Sequence, residues 1–278
     1  SCGSSLPGVS SSFSGGGGIA SVTPTVTYAE SSQSFTARFS PLVDPLVALV
    51  PANRNASSSS ATFDAYSFTR DFVFNGNQRV TATINVSLFK PGAANTQLAL
   101  SYTGFGHWAV VQPDFSIAPR YDNIQEGAFA FGRATPASGV PRTGTGSYSG
   151  LIYGYSAIPR TTASTQNAYV LTGTSSLTFD FAAPTFTGSM RPSARDRASG
   201  QQYDLGTINF GSTPAQPITA GSPDFIGNFT RQFTFIPGSL EGHFAGPAAN
   251  EFWANWATGI TDPVNGGDLA ILGIMVGK

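Results

Sequence analysis

Antiparallel β structure from end to end is the fold class this sequence predicts, on three observations. Apolar and polar residues alternate with a period of two: Ala82, Ile84, Val86 and Leu88 against Thr83, Asn85 and Ser87, and Leu177, Phe179 and Phe181 against Ser176, Thr178 and Asp180. Turn residues separate such stretches at a spacing of roughly 8–12 residues, which indicates sandwiches or barrels. The 32 glycines and 19 prolines interrupt every window long enough for a helix, apart from a helical turn or two over Ala248–Ala257.

Residues 1–18 (SCGSSLPGVSSSFSGGGG) have the composition of a flexible tether. Ser21–Tyr28 reads as an edge strand, because Pro24 cannot donate to a second neighbour. Pro41–Pro51 is apolar and bounded by prolines, either a short helix or an apolar loop, and Asn53–Ala61 is a polar loop. From residue 61 to 112 strands follow one another: Phe68, Phe72 and Phe74 on one parity, an Asn75-Gly76 hairpin turn of type I′, the Ala82–Leu88 strand, a Pro91-Gly92 turn, a strand through Leu98, Leu100 and Tyr102, and another over Phe105–Val111. This predicts an antiparallel meander with one buried face.

The stretch Phe131–Gly150 (FGRATPASGVPRTGTGSYSG) is a joint. Pro136 and Pro141 cannot donate to a ladder, and Gly144, Gly146 and Gly150 bracket residues suited to a strand. One β domain therefore ends near residue 142 and a second begins at 143. In the second, Ile208 and Phe210 lie in a strand, Phe229, Phe233 and Phe235 share a face, and Leu240, Gly242 and Phe244 oppose Glu241 and His243. Gly246-Pro247 closes that strand. The apolar run Leu269–Val276 suits a last strand covered on both faces.

Composition narrows the function. Charged residues are 10% of the 278, lysine occurs only at 90 and 278, and the net charge is −1. Nothing here neutralises a run of phosphates, so a nucleic-acid partner is not expected. Apolar residues are 40%, enough for a packed core. The sequence has no H-E-x-x-H, no G-x-S-x-G and no cysteine beyond Cys2, and catalysis is not expected.

Four segments together resemble the transferrin-binding-protein-B-like family of bacterial surface lipoproteins. They are YTGFGHW at Tyr102–Trp108, the FG-x-x-TP joint leading into G-x-x-x-YSG, the pair LTFDF and TFTGS at Leu177–Phe181 and Thr185–Ser189, and LEGHFAGPAANE at Leu240–Glu251. The resemblance covers roughly Ser60 to Lys278. It implies residues 19–142 as an antiparallel β handle domain and residues 143–278 as an antiparallel β-barrel of about eight strands. It also implies display on the outer membrane through a lipid anchor, for which Cys2 is the candidate. No signal peptide is visible in the sequence, so a leader is expected to have been removed already. The implied function is capture of an extracellular protein or of a small nutrient such as haem, with a TonB-dependent receptor as partner.

The binding candidates are few. Phe252, Trp253 and Trp256 stand where the family usually has glycine-rich sequence; buried they plug a barrel mouth, exposed they anchor an interface. His107, beside Trp108, either ligates haem iron or is a strand histidine next to a packing tryptophan. His243 is expected to face outward. Asp262, Asn265 and Asp268 are either calcium-binding oxygens or a plain Asn-Gly turn; no metal is expected. Loops at the tips are the expected contact surface. A structural or assembly role at the cell surface is the alternative to capture.

Overall fold

The computed structural model describes residues 4–5, 9–13, 23–29, 34–40, 47–74, 78–114, 121–156, 160–161, 169–231 and 238–278. Among these the fold is all-β: every strand pairing is antiparallel, and the helical pieces are single 3-10 turns at Pro51–Asn53 and Ala137–Gly139.

The first half contributes β1 (Ser4–Ser5), β2 (Val9–Phe13), β3 (Thr23–Ala29), β4 (Ser34–Ser40), β5 (Val47–Leu49), β6 (Phe63–Phe74), β7 (Gln78–Phe89), β8 (Thr103–Asp114) and β9 (Tyr121–Gly132). The second half contributes β10 (Thr145–Ser156), β11 (Arg160–Thr161), β12 (Tyr169–Asp180), β13 (Thr185–Asp196), β14 (Gln202–Asp204), β15 (Ile208–Gly211), β16 (Asp224–Phe229), β17 (Ser239–Ala245), β18 (Glu251–Thr261) and β19 (Asp268–Gly277).

Strands β6 to β9 form the expected meander. On β9's other edge lie β2, pairing Val9–Phe13 with Glu126–Ala130, and β11, a piece of the second half that pairs with Asn123 and Ile124. A small sheet in the order β1-β3-β4-β5 covers one face of the meander. Ala37, Val47 and Leu49 pack there on Tyr66, Ile84, Val86, Trp108, Phe129 and Phe131. This pair of sheets is the handle.

The second half closes on itself. The ring runs β10, β12, β13, β15, β16, β17, β18, β19 and back to β10, eight strands, with β14 flanking β13. Closure leaves no open edge in the ring. Its narrowest ladder joins β15 to β16, by Phe210↔Phe229 and Gly211↔Asn228 alone. The interior is filled by the barrel's own side chains, among them Phe179, Phe186, Phe225, Phe244, Phe252 and Trp256. Edge-to-face contacts such as Phe179 on Phe244, with centroids 5.0 Å apart at 83°, are the geometry aromatic quadrupoles favour.

Three expectations are corrected. Ala248–Ala257 is not helical: the chain turns through residues 246–250 and enters β18 at Glu251. Phe252, Ala254 and Trp256 point inward, while Trp253 points out and is buried as well. Two covered faces erase the polar alternation that would have marked a strand. Leu98–Tyr102 is irregular chain, although Leu100 is buried. Pro41–Pro51 is neither helix nor loop throughout, because Val47–Leu49 is β5. Pro24 does sit in a strand, opposite Phe39, and β1 pairs β3 only at Thr27 and Tyr28, clear of the proline. Cys2, the Asn75-Gly76 turn, Phe233 and Phe235 lie outside the described residues.

The joint is pinned to the handle at its start and to the barrel beyond it. Arg133 N–H donates to the Tyr102 carbonyl at 2.9 Å, Thr135 N–H to that of Phe244 at 3.0 Å, and the Thr135 hydroxyl to that of Gly246 at 2.7 Å. Tyr148 donates to the Ala249 carbonyl at 2.6 Å, and burial pushes its phenol pKa up to about 12. Gly139 leaves room for the Pro247 carbonyl, which a Cβ would overlap.

Candidate functional site

Handle and barrel meet along a seam formed by the meander's second face and the barrel's outer wall. Phe89, Leu100, Phe105, Ala128 and Ala130 pack there against Tyr155, Val170, Ala245, Trp253, Ile274 and Val276. The period of two places them: Phe105 and His107 face the seam, while Trp108 and Val110 face the small sheet.

Two carboxylates fasten the seam. Glu251, 3% exposed, accepts the backbone N–H groups of Ser101, Tyr102 and Thr103 at 2.8, 2.8 and 2.9 Å, and the Thr103 hydroxyl at 2.8 Å. Donors that would otherwise need a neighbouring strand are satisfied by one side chain across the seam. Glu126, on the handle, lies 2.7 Å from an Arg197 guanidinium nitrogen of the barrel. The same guanidinium sits over the Tyr155 ring, 5.0 Å from its centroid. Burial raises the Glu126 carboxyl pKa, and Arg197 opposes that shift. Burial also raises the phenols of Tyr153 and Tyr155.

His107 lies within this seam. Its ring stacks on Tyr153 with centroids 4.4 Å apart and planes 3° from parallel, and Phe63 meets it edge-on at 5.5 Å. Desolvation, helped by the nearby Arg197 charge, pushes the imidazole pKa down to about 4. A haem does not fit this residue as placed, since a macrocycle would have to displace Tyr153 or Phe63. Because the folded pKa lies below the unfolded value of about 6.5, the fold favours neutral His107. Its contribution is intact above pH 6.5 and is lost as pH falls toward 4, by up to about 3 kcal/mol. Glu126 acts with the opposite sign, since its raised pKa favours the folded state in acid, and offsets part of the loss. The expected outcome is that His107→Phe flattens the decline in thermal midpoint between pH 6.5 and 4 measured by calorimetry.

The other sequence candidates are now placed. Trp108 is buried in the handle core, and Phe252 and Trp256 in the barrel core. Trp253 is buried in the seam and stacks on His243, centroids 4.2 Å apart. The structure does not bring Phe252, Trp253 and Trp256 to one surface; they are packing side chains on opposite faces of β18. His243 does face outward, its Nδ1 2.7 Å from Asp224 Oδ1 and its Nε2 3.9 Å from Glu241 Oε1. Asp262 accepts the Tyr169 hydroxyl at 2.7 Å and its own turn's Val264 N–H at 2.9 Å, which is the plain turn rather than an open ligand set. Among the described residues no cluster of three or more His, Cys, Asp or Glu side chains is arranged to hold a metal.

Among the described residues, a cleft and a groove lie on the barrel. A cleft of about 450 Å³ opens beside the ends of β15, β16 and β18, between Ile208, Thr230, Arg231, Thr258, Ile260 and Thr261. A groove of about 370 Å³ crosses the outer wall over β16 to β19, lined by Ile226, Ser239, Glu241, Asn255, Ala257 and Leu272. Sequence reasoning did not single out Glu126, Arg197 or Glu251, nor Asn255. Only the outward parity of Glu241 was legible, from its alternation with Leu240 and Gly242.

No protein-family model matches the chain, and no curated protein does. Among solved structures it is similar to transferrin binding protein B chains. A double mutant of the Haemophilus parasuis Hp5 protein matches at a TM-score of 0.39 and 14% identity, over 91% of this chain and 50% of that one. Intact Ap-TbpB, with N and C lobes, matches at 0.38 and 13%, over 92% and 52%. The isotype 1 protein of serogroup B Neisseria meningitidis matches at 0.33 and 15%, over 92% and 49%. This chain spans about half the length of the solved chains it matches. They are of the family whose motifs the sequence resembles.

Proposed function

We propose that this chain is a surface-displayed lipoprotein of a bacterial outer membrane that captures an extracellular protein. The observation that carries the reading is the filled barrel: Phe179, Phe225, Phe244, Phe252 and Trp256 occupy the interior, and among the described residues the cleft and the groove above lie on its outside. A scaffold fastened by Glu251 and by the Glu126–Arg197 pair presents that outside as a fixed surface, which lowers the ordering cost of binding. With a net charge of −1, recognition depends on shape and local contacts more than on long-range steering. Anchoring through an acylated Cys2 and cooperation with a TonB-dependent receptor are parts of the same proposal. So is the possibility of a small nutrient cargo, although a haem held by His107 would require an opened seam.

The test is isolation of the full chain from its native membrane. The expected result is partition into the detergent phase, lost in Cys2→Ser, together with protease sensitivity on intact cells and co-isolation of an extracellular protein. A chain that stays in the aqueous phase and is protected in intact cells would overturn the reading.

A further inference from the structure

We propose that β1 and β2 zip the anchor onto the fold, so that an acylated Cys2 seats the joint end of the molecule on a lipid membrane surface and turns the cleft end of the barrel outward. This rests on the lipoprotein reading above and adds the orientation in which the captured protein would meet the body.

The composition of residues 1–18 predicts a free tether, yet the structure pairs two pieces of it. β1 joins β3 through Ser4↔Tyr28 and Ser5↔Thr27. β2 joins β9 through Val9–Phe13 and lies against β18 and β19. Cys2 is two residues from Ser4, a reach of at most about 7 Å. An unpaired chain of the roughly 20 residues before β3 would span about 25 Å. Pairing therefore fixes where an anchor at Cys2 leaves the body.

That place is the joint end. Ser4, Tyr28, Phe35 and Leu49 form one row across the small sheet. Phe35 meets Phe131, next to the end of β9, with ring centroids 5.3 Å apart. The barrel runs alongside β9: Gly132 lies against Trp253 and Ala245, whereas Glu126 reaches Arg197, just past the end of β13. Thr261, on the rim of the cleft, stands eight residues beyond Trp253 on β18, about 27 Å along the strand.

Charge divides the same way. The turns at the joint end, residues 181–184, 212–223 and 246–250, contain no charged residue. The carboxylates beside them are occupied, since Asp180 accepts the Ala182 N–H of its own turn and Asp224 lies 2.7 Å from His243 Nδ1. The exposed cations beside them are Arg133, Arg142 and Lys278, the sign that anionic headgroups attract. Uncharged turns approach a headgroup layer without stripping water from an ion. The connections at the cleft end carry Arg197, Arg231 and Asp262.

The experiment couples the full chain through Cys2, its only cysteine, to a maleimide lipid in phosphatidylcholine–phosphatidylglycerol vesicles that bear an acceptor dye on their headgroups. A donor dye is clicked onto Ser138→p-azidophenylalanine, exposed in the joint, or onto Asn265→p-azidophenylalanine, exposed in the turn after β18. Energy transfer from position 138 is expected to be several-fold stronger than from position 265. Ser4→Pro, Ser5→Pro, Ser11→Pro and Ser12→Pro together remove a donor from each zipper and leave both cores untouched. In that variant transfer from both positions is expected to fall and to even out, as the body lifts on a tether of about 25 Å. Equal transfer from the two positions in wild type, stronger transfer from position 265, or an unchanged pattern in a folded proline variant would overturn the seat. The wild-type comparison decides alone where the proline variant does not fold. The maleimide supplies the lipid, so the result does not depend on acylation in the cell. Equal transfer removes the seat and leaves the lipoprotein reading standing, whereas a native chain without acyl groups removes the lipoprotein reading and the seat with it.

Discussion

Replacing Glu251 by alanine is expected to destabilise the protein by about 3–6 kcal/mol, because it strands several donors at once. The backbone N–H groups of Ser101, Tyr102 and Thr103 and the Thr103 hydroxyl all converge on this carboxylate. A donor left unpaired where water enters poorly costs roughly 1–3 kcal/mol, and Thr103 is itself buried. Glu251→Gln keeps one acceptor oxygen and is expected to cost less than half as much. Calorimetry of the two variants checks the ordering. A loss under 1 kcal/mol in the alanine variant would mean that water or a shifted loop replaces the carboxylate.

Trp256→Ala is expected to cost about 3–5 kcal/mol, the range for emptying a large aromatic from a closed core. Trp256 is 1% exposed, its indole N–H donates to the Ile274 carbonyl at 2.9 Å, and Gly273 lies under the ring. The barrel cannot collapse into the gap easily, since its wall is a closed ring of eight strands. Trp253→Ala is expected to cost a comparable amount at a different place. It opens the seam against Gly132 and Ala245 while the barrel interior stays packed. Urea unfolding followed by near-ultraviolet circular dichroism separates the two. The Trp256 variant loses the barrel's aromatic signal first, and the Trp253 variant keeps it.

Much of the sheet structure is legible in the sequence, wherever one face is dry and the other wet. Ala82, Ile84, Val86 and Leu88 are buried and Asn85 is exposed, as their alternation implies. The same holds for Leu240, Gly242 and Phe244 against Glu241. Legibility fails where both faces are covered. In β18 the run Phe252-Trp253-Ala254 carries no alternation, because the barrel core takes one parity and the handle the other. It fails again at Leu98–Tyr102, whose apolar residues alternate although the backbone is irregular. There the ladder is replaced by Glu251, about 150 residues away, and no local pattern reports a donor satisfied at that distance.

The short motifs gain a physical meaning once folded. Tyr102–Trp108, the joint after Phe131, and Leu240–Glu251 are far apart in the chain, yet they meet at the seam. Tyr102 accepts from Arg133, Arg133 accepts from Gly246, Thr135 donates to Phe244, and Glu251 returns to Tyr102. What these segments share is the docking of one sheet body on the other.

Native-state hydrogen exchange across the seam tests most directly whether handle and barrel behave as one fixed body. Amides of Thr103–Phe105 and of Ala128–Ala130 are expected to exchange in the same slow class as those of β18 and β19, and to move together to a faster class in Glu251→Ala. Handle amides that exchange freely while the barrel stays protected, with E251A indistinguishable from wild type, would show two loosely tethered bodies and contradict the fixed seam.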